Sequence, residues 1–187
     1  MPKLKTDKRA RLIETAADLT HQHGFGRTTL ADIAREAKVP LGNVYYYFKT
    51  KTEIGEAIIA QRVMEFRMMR QEWEKSDSPK DRLLAFIQMT VDSRRTLARS
   101  GCPVGSLCAE LDKNGGDLAR EASRPFDELL SWIEAQFATL GKGREKKALA
   151  LHLLSALQGV SLLANSFDDP NLVVIEANQL KKWILAL

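Results

Sequence analysis

The sequence predicts an all-α protein of about nine helices. Three observations carry this. Apolar residues recur at three- and four-residue spacing along almost the whole chain, and short stretches rich in Gly, Pro, Ser, Asn and Asp separate these runs at helix-length intervals. No run alternates apolar and polar residues between hairpin turns, as an exposed sheet requires.

The first helix is expected over about 7–23, with Leu12, Ile13, Ala16 and Ala17 on one face and "HGFG" as its stop. Thr28 or Thr29 then caps a second helix that buries Leu30, Ile33, Ala34 and Ala37. After "KVPL" comes a short third helix holding Val44, Tyr47 and Phe48, and a longer fourth runs from near Lys51 to about Trp73. "KSDSPKD" is the clearest break. Further helices are expected at 80–98, 104–112, 117–139, 145–167 and 172–187, separated by "RSGCPVG", "KNGG", "LGKG" and "DDPN". No repeat and no low-complexity segment appears.

With 187 residues, 44% of them hydrophobic and 28% charged, the chain has the composition of a globular protein. The stretch 148–167 is long enough to span a bilayer, but His152, Ser155, Gln158, Ser161, Asn165 and Ser166 interrupt it. It therefore reads as the helix of a soluble protein, with no membrane partner. "MPKLKTDKRARL" is basic without an apolar core, so no secretion signal is read and a cytoplasmic address is expected. Residues 1–51 hold ten Lys/Arg against five Asp/Glu, while the rest of the chain is close to neutral. The positive surplus thus sits where an anionic partner would meet it.

A helix-turn-helix needs two helices crossing closely, and residues 28–51 meet that demand. Ala34 is small at the crossing, and Val39, Val44 and Tyr47 complete the inner side. In such a unit the second helix enters the major groove of DNA, its early residues at base edges and its flanks at phosphates. Successive helical residues step by about 100°, so Tyr45, Tyr46 and Tyr47 cannot all face inward. Tyr45 and Tyr46 are expected outside, able to hydrogen-bond phosphates and touch thymine methyls, with Tyr47 and Phe48 inside. Lys49 and Lys51 add charge at the backbone.

Residues 8–54 resemble the N-terminal domain of the TetR/AcrR family of transcriptional repressors. The match lies in "RLIETAADLTHQHGFGRTTLADIAREAKVPLGNVYYYFKTKTEI". The resemblance implies an all-α homodimer with a three-helix DNA-binding domain over 1–52 and a ligand-binding and dimerisation domain over 53–187. It also implies a double-stranded operator and a small-molecule effector as partners. The family's DNA-contacting positions fall on Thr28, Thr29, Leu41, Gly42, Asn43, Tyr45, Tyr46 and Lys51. Lys38 stands where many helix-turn-helix units have glycine in left-handed backbone, at a cost of about 1 kcal/mol, and is itself a candidate for a phosphate.

In the C-terminal part, Leu149, Leu153, Ala156, Val160, Leu163 and Phe167 fall within an arc of roughly 80°, and Val173, Ala177, Leu180, Ile184 and Leu187 repeat the pattern. Two such seams fit a four-helix interface between two copies; closing the chain's own core is the alternative. Gln158, Ser161 and Asn165 cluster on another side of the same helix, mixed with Leu151, Leu154 and Leu162. Polar groups among leucines suit a largely apolar pocket, with Phe86, Met89, Phe126, Leu130, Trp132, Ile133 and Phe137 as facing candidates. An apolar, possibly aromatic ligand is expected, although any one of these side chains serves equally as plain core.

Pro103 at the first position of a helix would place Cys102 at its N-cap, where the helix dipole favours a thiolate. A Gly-Cys here also resembles a branch of the family in which some members sense electrophiles or oxidants, so Cys102 is both a pocket candidate and a possible sensing thiol. Cys102 and Cys108 form no CxxC pair, and His21, His23 and His152 make no metal-ligand spacing. No phosphate loop, nucleophile elbow or carboxylate pair stands out, so neither a cofactor nor an enzyme is expected. A ligand-independent architectural DNA binder is the remaining alternative.

Overall fold

The computed structural model describes the backbone of residues 3–187 and the side chains of 8–113 and 115–187; residues 1–2 of the basic N-terminal stretch lie outside the described residues. Among the described residues the chain is helical, with no strand. The helices are α1 (Lys3–His23), α2 (Leu30–Glu36), α3 (Leu41–Tyr47), α4 (Lys51–Trp73), α5 (Pro79–Asp92), α6 (Arg94–Ser100), α7 (Pro103–Asn114), α8 (Asp117–Ala122), α9 (Arg124–Thr139), α10 (Lys146–Phe167) and α11 (Asn171–Ala186).

Two of the expected helices are each interrupted at one residue. The stretch 80–98 breaks at Ser93 (ψ 0°) between α5 and α6, and the Arg94 guanidinium donates to the Val91 carbonyl beside the break. The stretch 117–139 breaks at Ser123, two residues before Pro125. Proline has no N–H to offer the carbonyl one turn back and its ring crowds that carbonyl, so α8 cannot run on into α9.

The helices form two compact units, 1–64 with 106–125, and 65–105 with 126–187. The first has one core. Leu12, Ala16 and Ala17 of α1, Ile33 and Ala34 of α2, Val44 of α3 and Ile54 and Ile58 of α4 meet Leu107 and Leu111 of α7. The division between 52 and 53 expected from the sequence concerns roles and is taken up below; packing brings the first half of α4 and most of α7 into the same unit as α1 to α3.

In the second unit α10 packs on α6 and α11, and α11 packs on α5. Its core includes Leu83, Phe86, Ile87, Trp132, Ile133 and Phe137 with Leu153 and Leu157. Phe66, Trp73, Phe86 and Trp132 gather their rings with centroids 5.2–6.1 Å apart. The Trp132 indole N–H donates to Glu74 Oε1 (3.0 Å). Glu74 thus keeps the polar edge of the buried Trp132 ring satisfied.

The seam expected to join two copies is instead mostly core. Leu153, Val160, Val173, Ala177, Leu180 and Ile184 are buried within the chain, and Leu149, Ala156 and Leu187 are half-buried. Only Leu163 and Phe167 of that set are exposed. The reason is that the two stripes pack on one another, with α10 also against α6 and α11 against α5, which uses them up. Further apolar side chains stay open: Leu151 and Leu162 on the opposite side of α10, and Ile175 and Leu185 of α11. Leu151 and Leu162, expected beside the polar groups of a pocket, thus face away from the core. α10 is also the described helix long and apolar enough to cross a membrane, and its inward side is protein core.

Candidate nucleic-acid interface

The candidate surface is built by α2, the turn after it, and α3. Thr29 caps α2: its Oγ1 accepts the Asp32 N–H (3.1 Å), and Asp32 Oδ2 accepts the Thr29 N–H (3.1 Å) and hydroxyl (2.6 Å). This reciprocal box satisfies donors that the first turn leaves open. The Thr29 hydroxyl, then its N–H and then Arg35 hold the Asp32 carboxyl below its usual value. Its contribution to stability is therefore present above the ordinary carboxylate range and is lost as pH falls through the lowered value.

Thr28, a candidate for the DNA surface, is instead buried, and its hydroxyl donates to the Gly24 carbonyl (2.8 Å), pinning the loop before α2. Of two adjacent threonines one faces solvent and one faces in, and the cap geometry chooses Thr29 for the outside.

α2 ends in a Schellman turn. The Lys38 N–H donates to Arg35 O (3.2 Å) and the Val39 N–H to Ala34 O (2.9 Å), while Val39 enters the core. That bonding pattern requires left-handed backbone at the residue after the cap, and Lys38 has φ 53°. Lysine carries a Cβ penalty there that glycine lacks. Lys38→Gly is expected to stabilise the protein by about 1 kcal/mol. Urea unfolding would show a higher midpoint at unchanged slope.

Pro40 starts α3, its carbonyl accepting the Asn43 N–H (2.8 Å) and the Val44 N–H (3.3 Å). Val44 is fully buried, Phe48 nearly so, and Tyr47 is half-buried against the same core. Opposite them Leu41, Tyr45 and Tyr46 are 41%, 47% and 62% exposed. Seven residues thus carry an apolar inner face and an aromatic outer one. The Tyr46 ring stands edge-on to Tyr47 with centroids 5.1 Å apart, which braces it. Asn43 is half-buried, and a Cβ at the exposed Gly42 would meet nothing within 4 Å. The first turn of α3 is therefore bare enough for another backbone to approach.

The two lysines differ. Lys49 is exposed, its N–H donating to Glu53 Oε2 (2.8 Å) at the start of α4. Lys51 is half-buried: its Nζ donates to the Gly26 carbonyl (2.9 Å) and lies 4.7 Å from the centre of the Phe25 ring. Burial holds the Lys51 ammonium below its usual value, with the charge of Glu110 working the other way. A reading from sequence misses Glu110, Leu107 and Leu111, since nothing local ties residues about eighty positions apart.

The candidate pocket residues lie in the second unit. Phe86, Trp132, Ile133, Phe137 and Leu154 are buried core, with Met89, Phe126 and Leu130 half-buried against it. Ser161 is buried and its hydroxyl donates to Leu157 O (2.7 Å), while Asn165 Nδ2 donates to Ala98 O (2.8 Å). Those two polar groups are thereby matched inside the chain. Gln158 is half-buried, its Oε1 2.9 Å from where a Cβ on Gly105 would stand. Cys102 is half-buried too, and its Sγ accepts the Gly105 N–H (3.4 Å) at the head of α7.

The model of bacterial regulatory proteins of the tetR family matches residues 12–58, α1 through the first turns of α4. The transcriptional repressor NemR of Escherichia coli K12 is 27% identical over 146 residues, covering 76% of this chain and 72% of NemR. Among solved structures, a TetR regulator of Legionella pneumophila superposes with a TM-score of 0.83 at 18% identity, over 92% of this chain and 94% of that one. The reduced form of E. coli NemR gives 0.78 at 22% identity, over 94% and 96%. The matched model covers every helix of the candidate surface, and both relatives run far beyond it. Residues 12–58 thus match the tetR family of bacterial regulatory proteins, and the chain as a whole shares the fold of solved TetR regulators.

Proposed function

We propose that this regulator is a homodimeric cytoplasmic repressor that binds a palindromic duplex operator and is released by a small, largely apolar or aromatic effector. In this reading residues 1–52 read DNA and 53–187 bind effector and partner. The observation that carries it is α3: Leu41, Tyr45 and Tyr46 face out from a helix whose other face is locked into a core. A helix held that way keeps its outer side chains in one register, which base recognition needs. Asn43, Tyr45 and Tyr46 contact bases and phosphates; Thr29, Lys38, Lys49 and Lys51 contact phosphates. A two-fold pair of such heads matches a palindrome. The effector sits among Met89, Phe126, Leu130 and Gln158, and shifts the pair away from the spacing that fits the operator.

The test is selection of duplexes from a random library by the purified protein. A palindrome should emerge, and Tyr46→Ala should bind it about tenfold or more weakly. Affinity should fall steeply with salt, and Lys49→Ala should reduce that slope by about one. Recovery of no sequence at low ionic strength would overturn the proposal.

A second reading is favoured by one contact. The Cys102 Sγ accepts an N–H of the first turn of α7 (3.4 Å) from a half-buried position. In this reading a thiol-reactive electrophile is the effector. Treated with N-ethylmaleimide, wild type should leave the selected duplex while Cys102→Ser stays bound. An equal response of the two proteins would end it.

A further inference from the structure

The loop between α1 and α2 is held by a side chain from a distant part of the sequence. Glu110 of α7 spends both carboxylate oxygens there: Oε2 accepts the Phe25 N–H (2.6 Å) and Oε1 accepts the Gly26 N–H (2.5 Å). Glycines make room for it. Gly24 has φ +90°, and a Cβ on Gly26 would stand 2.9 Å from Glu110 Oε1. From the other side Lys51 donates to the Gly26 carbonyl and covers the Phe25 ring. Leu107 and Leu111, on the same face of α7 as Glu110, enter the core of the first unit.

Solvation alone does not explain this clamp. Gly26 is exposed, so water could satisfy its N–H without a carboxylate. What the clamp does is fix the residues immediately before α2. Thr28 is tied back to Gly24 and Thr29 caps α2, so the seat of Phe25 and Gly26 sets where α2 begins. The Schellman turn then passes that placement on to α3.

We propose that Glu110 is the positioning residue through which α7 seats the reading helices, and that operator specificity depends on its grip on the Phe25 and Gly26 amides. The inference rests on the DNA-reading function proposed above.

Charge and position make opposite predictions, which allows a decision. Glu110→Gln removes a negative charge from a surface that meets a polyanion, so electrostatics alone would tighten binding to every duplex. A lost clamp loosens the fit to the selected sequence only, because phosphate contacts tolerate a shifted head and base contacts do not. The experiment measures affinity by fluorescence anisotropy for the duplex that wild type selects and for a shuffled duplex of equal composition. Glu110→Gln should lower affinity for the selected duplex about tenfold while affinity for the shuffled one stays or rises. Gly26→Ala changes no charge yet pushes the carboxylate away, and should give the same loss. It carries the test if Glu110→Gln fails to show the wild-type helical circular dichroism.

Hydrogen exchange provides an arm free of DNA. The Phe25 and Gly26 amides should exchange about tenfold faster in Glu110→Gln than in wild type. An unchanged ratio of selected to shuffled affinity in both variants would overturn the proposal, and so would unaltered exchange at both amides. Should wild type select no sequence at all, the reading as a sequence-specific regulator is what falls, and the exchange arm still decides whether Glu110 holds the loop.

Discussion

In the proposed homodimer, Leu162→Asp with Phe167→Asp is expected to give a folded monomer. Leu162 is 66% exposed and Phe167 70% exposed, so neither change removes core from the chain itself. Leu162 lies on the outer face of α10, where Leu151, Ser155 and Gly159 are exposed as well and a Cβ on Gly159 would meet nothing within 4 Å, and Phe167 lies at the exposed last turn of the same helix. Leucines and a phenylalanine around small residues let a second helix approach closely. In a two-fold interface every residue occurs twice, so two substitutions bury four carboxylates without partners. Each uncompensated charge costs several kcal/mol in such a place, and the dimer dissociation constant should rise at least about a thousandfold. Sedimentation equilibrium would show one copy with wild-type circular dichroism. A variant that stays dimeric would move the interface away from this face. Binding to the selected palindrome should fall with dimerisation, since one head then binds one half-site.

The face of α10 opposite Leu162 predicts an opposite result. Leu153 is completely buried, within the core that also holds Phe86, Ile133 and Leu157. Leu153→Ala should cost about 3–5 kcal/mol, part from lost transfer energy and part from the cavity left behind. Against a total stability of about 5–15 kcal/mol that is a large share, and the melting temperature should drop by about 10 °C. Made in the monomeric double variant, it isolates the chain's own core from the interface. A loss below about 1 kcal/mol would mean that Leu153 faces another copy, as its place in the expected seam had it.

These two results separate what periodicity can and cannot say. α10 carries one stripe through Leu149, Leu153, Ala156, Val160, Leu163 and Phe167 and another through Leu151 and Leu162, with Ser155 and Gly159 between. Each repeats at helical spacing, so both pass the test for a buried face. Only the placement of α6 and α11 against the first stripe decides that the second is left open. Two of the candidate pocket's polar groups are used up for the same reason. Ser161 and Asn165 sit among leucines as a pocket's polar groups would, yet each finds a carbonyl to bond, one on its own helix and one on α6.

The reading head was legible because its signals are local. A cap and its box lie three residues apart, a Schellman turn spans six, and two outward tyrosines follow from 100° per residue. From sequence alone the chain is all-α, its third helix shows Tyr45 and Tyr46 to the outside, and Lys38 occupies a left-handed turn. Tertiary structure alone decided that α7 closes the first core, that Glu110 grips the loop before α2, and which side of α10 faces away. Dihedral preferences and side-chain spacing act within a turn or two of the chain. The choice among faces of similar apolarity is made by which distant surface covers one of them first, and that contact has no signature in the neighbouring residues.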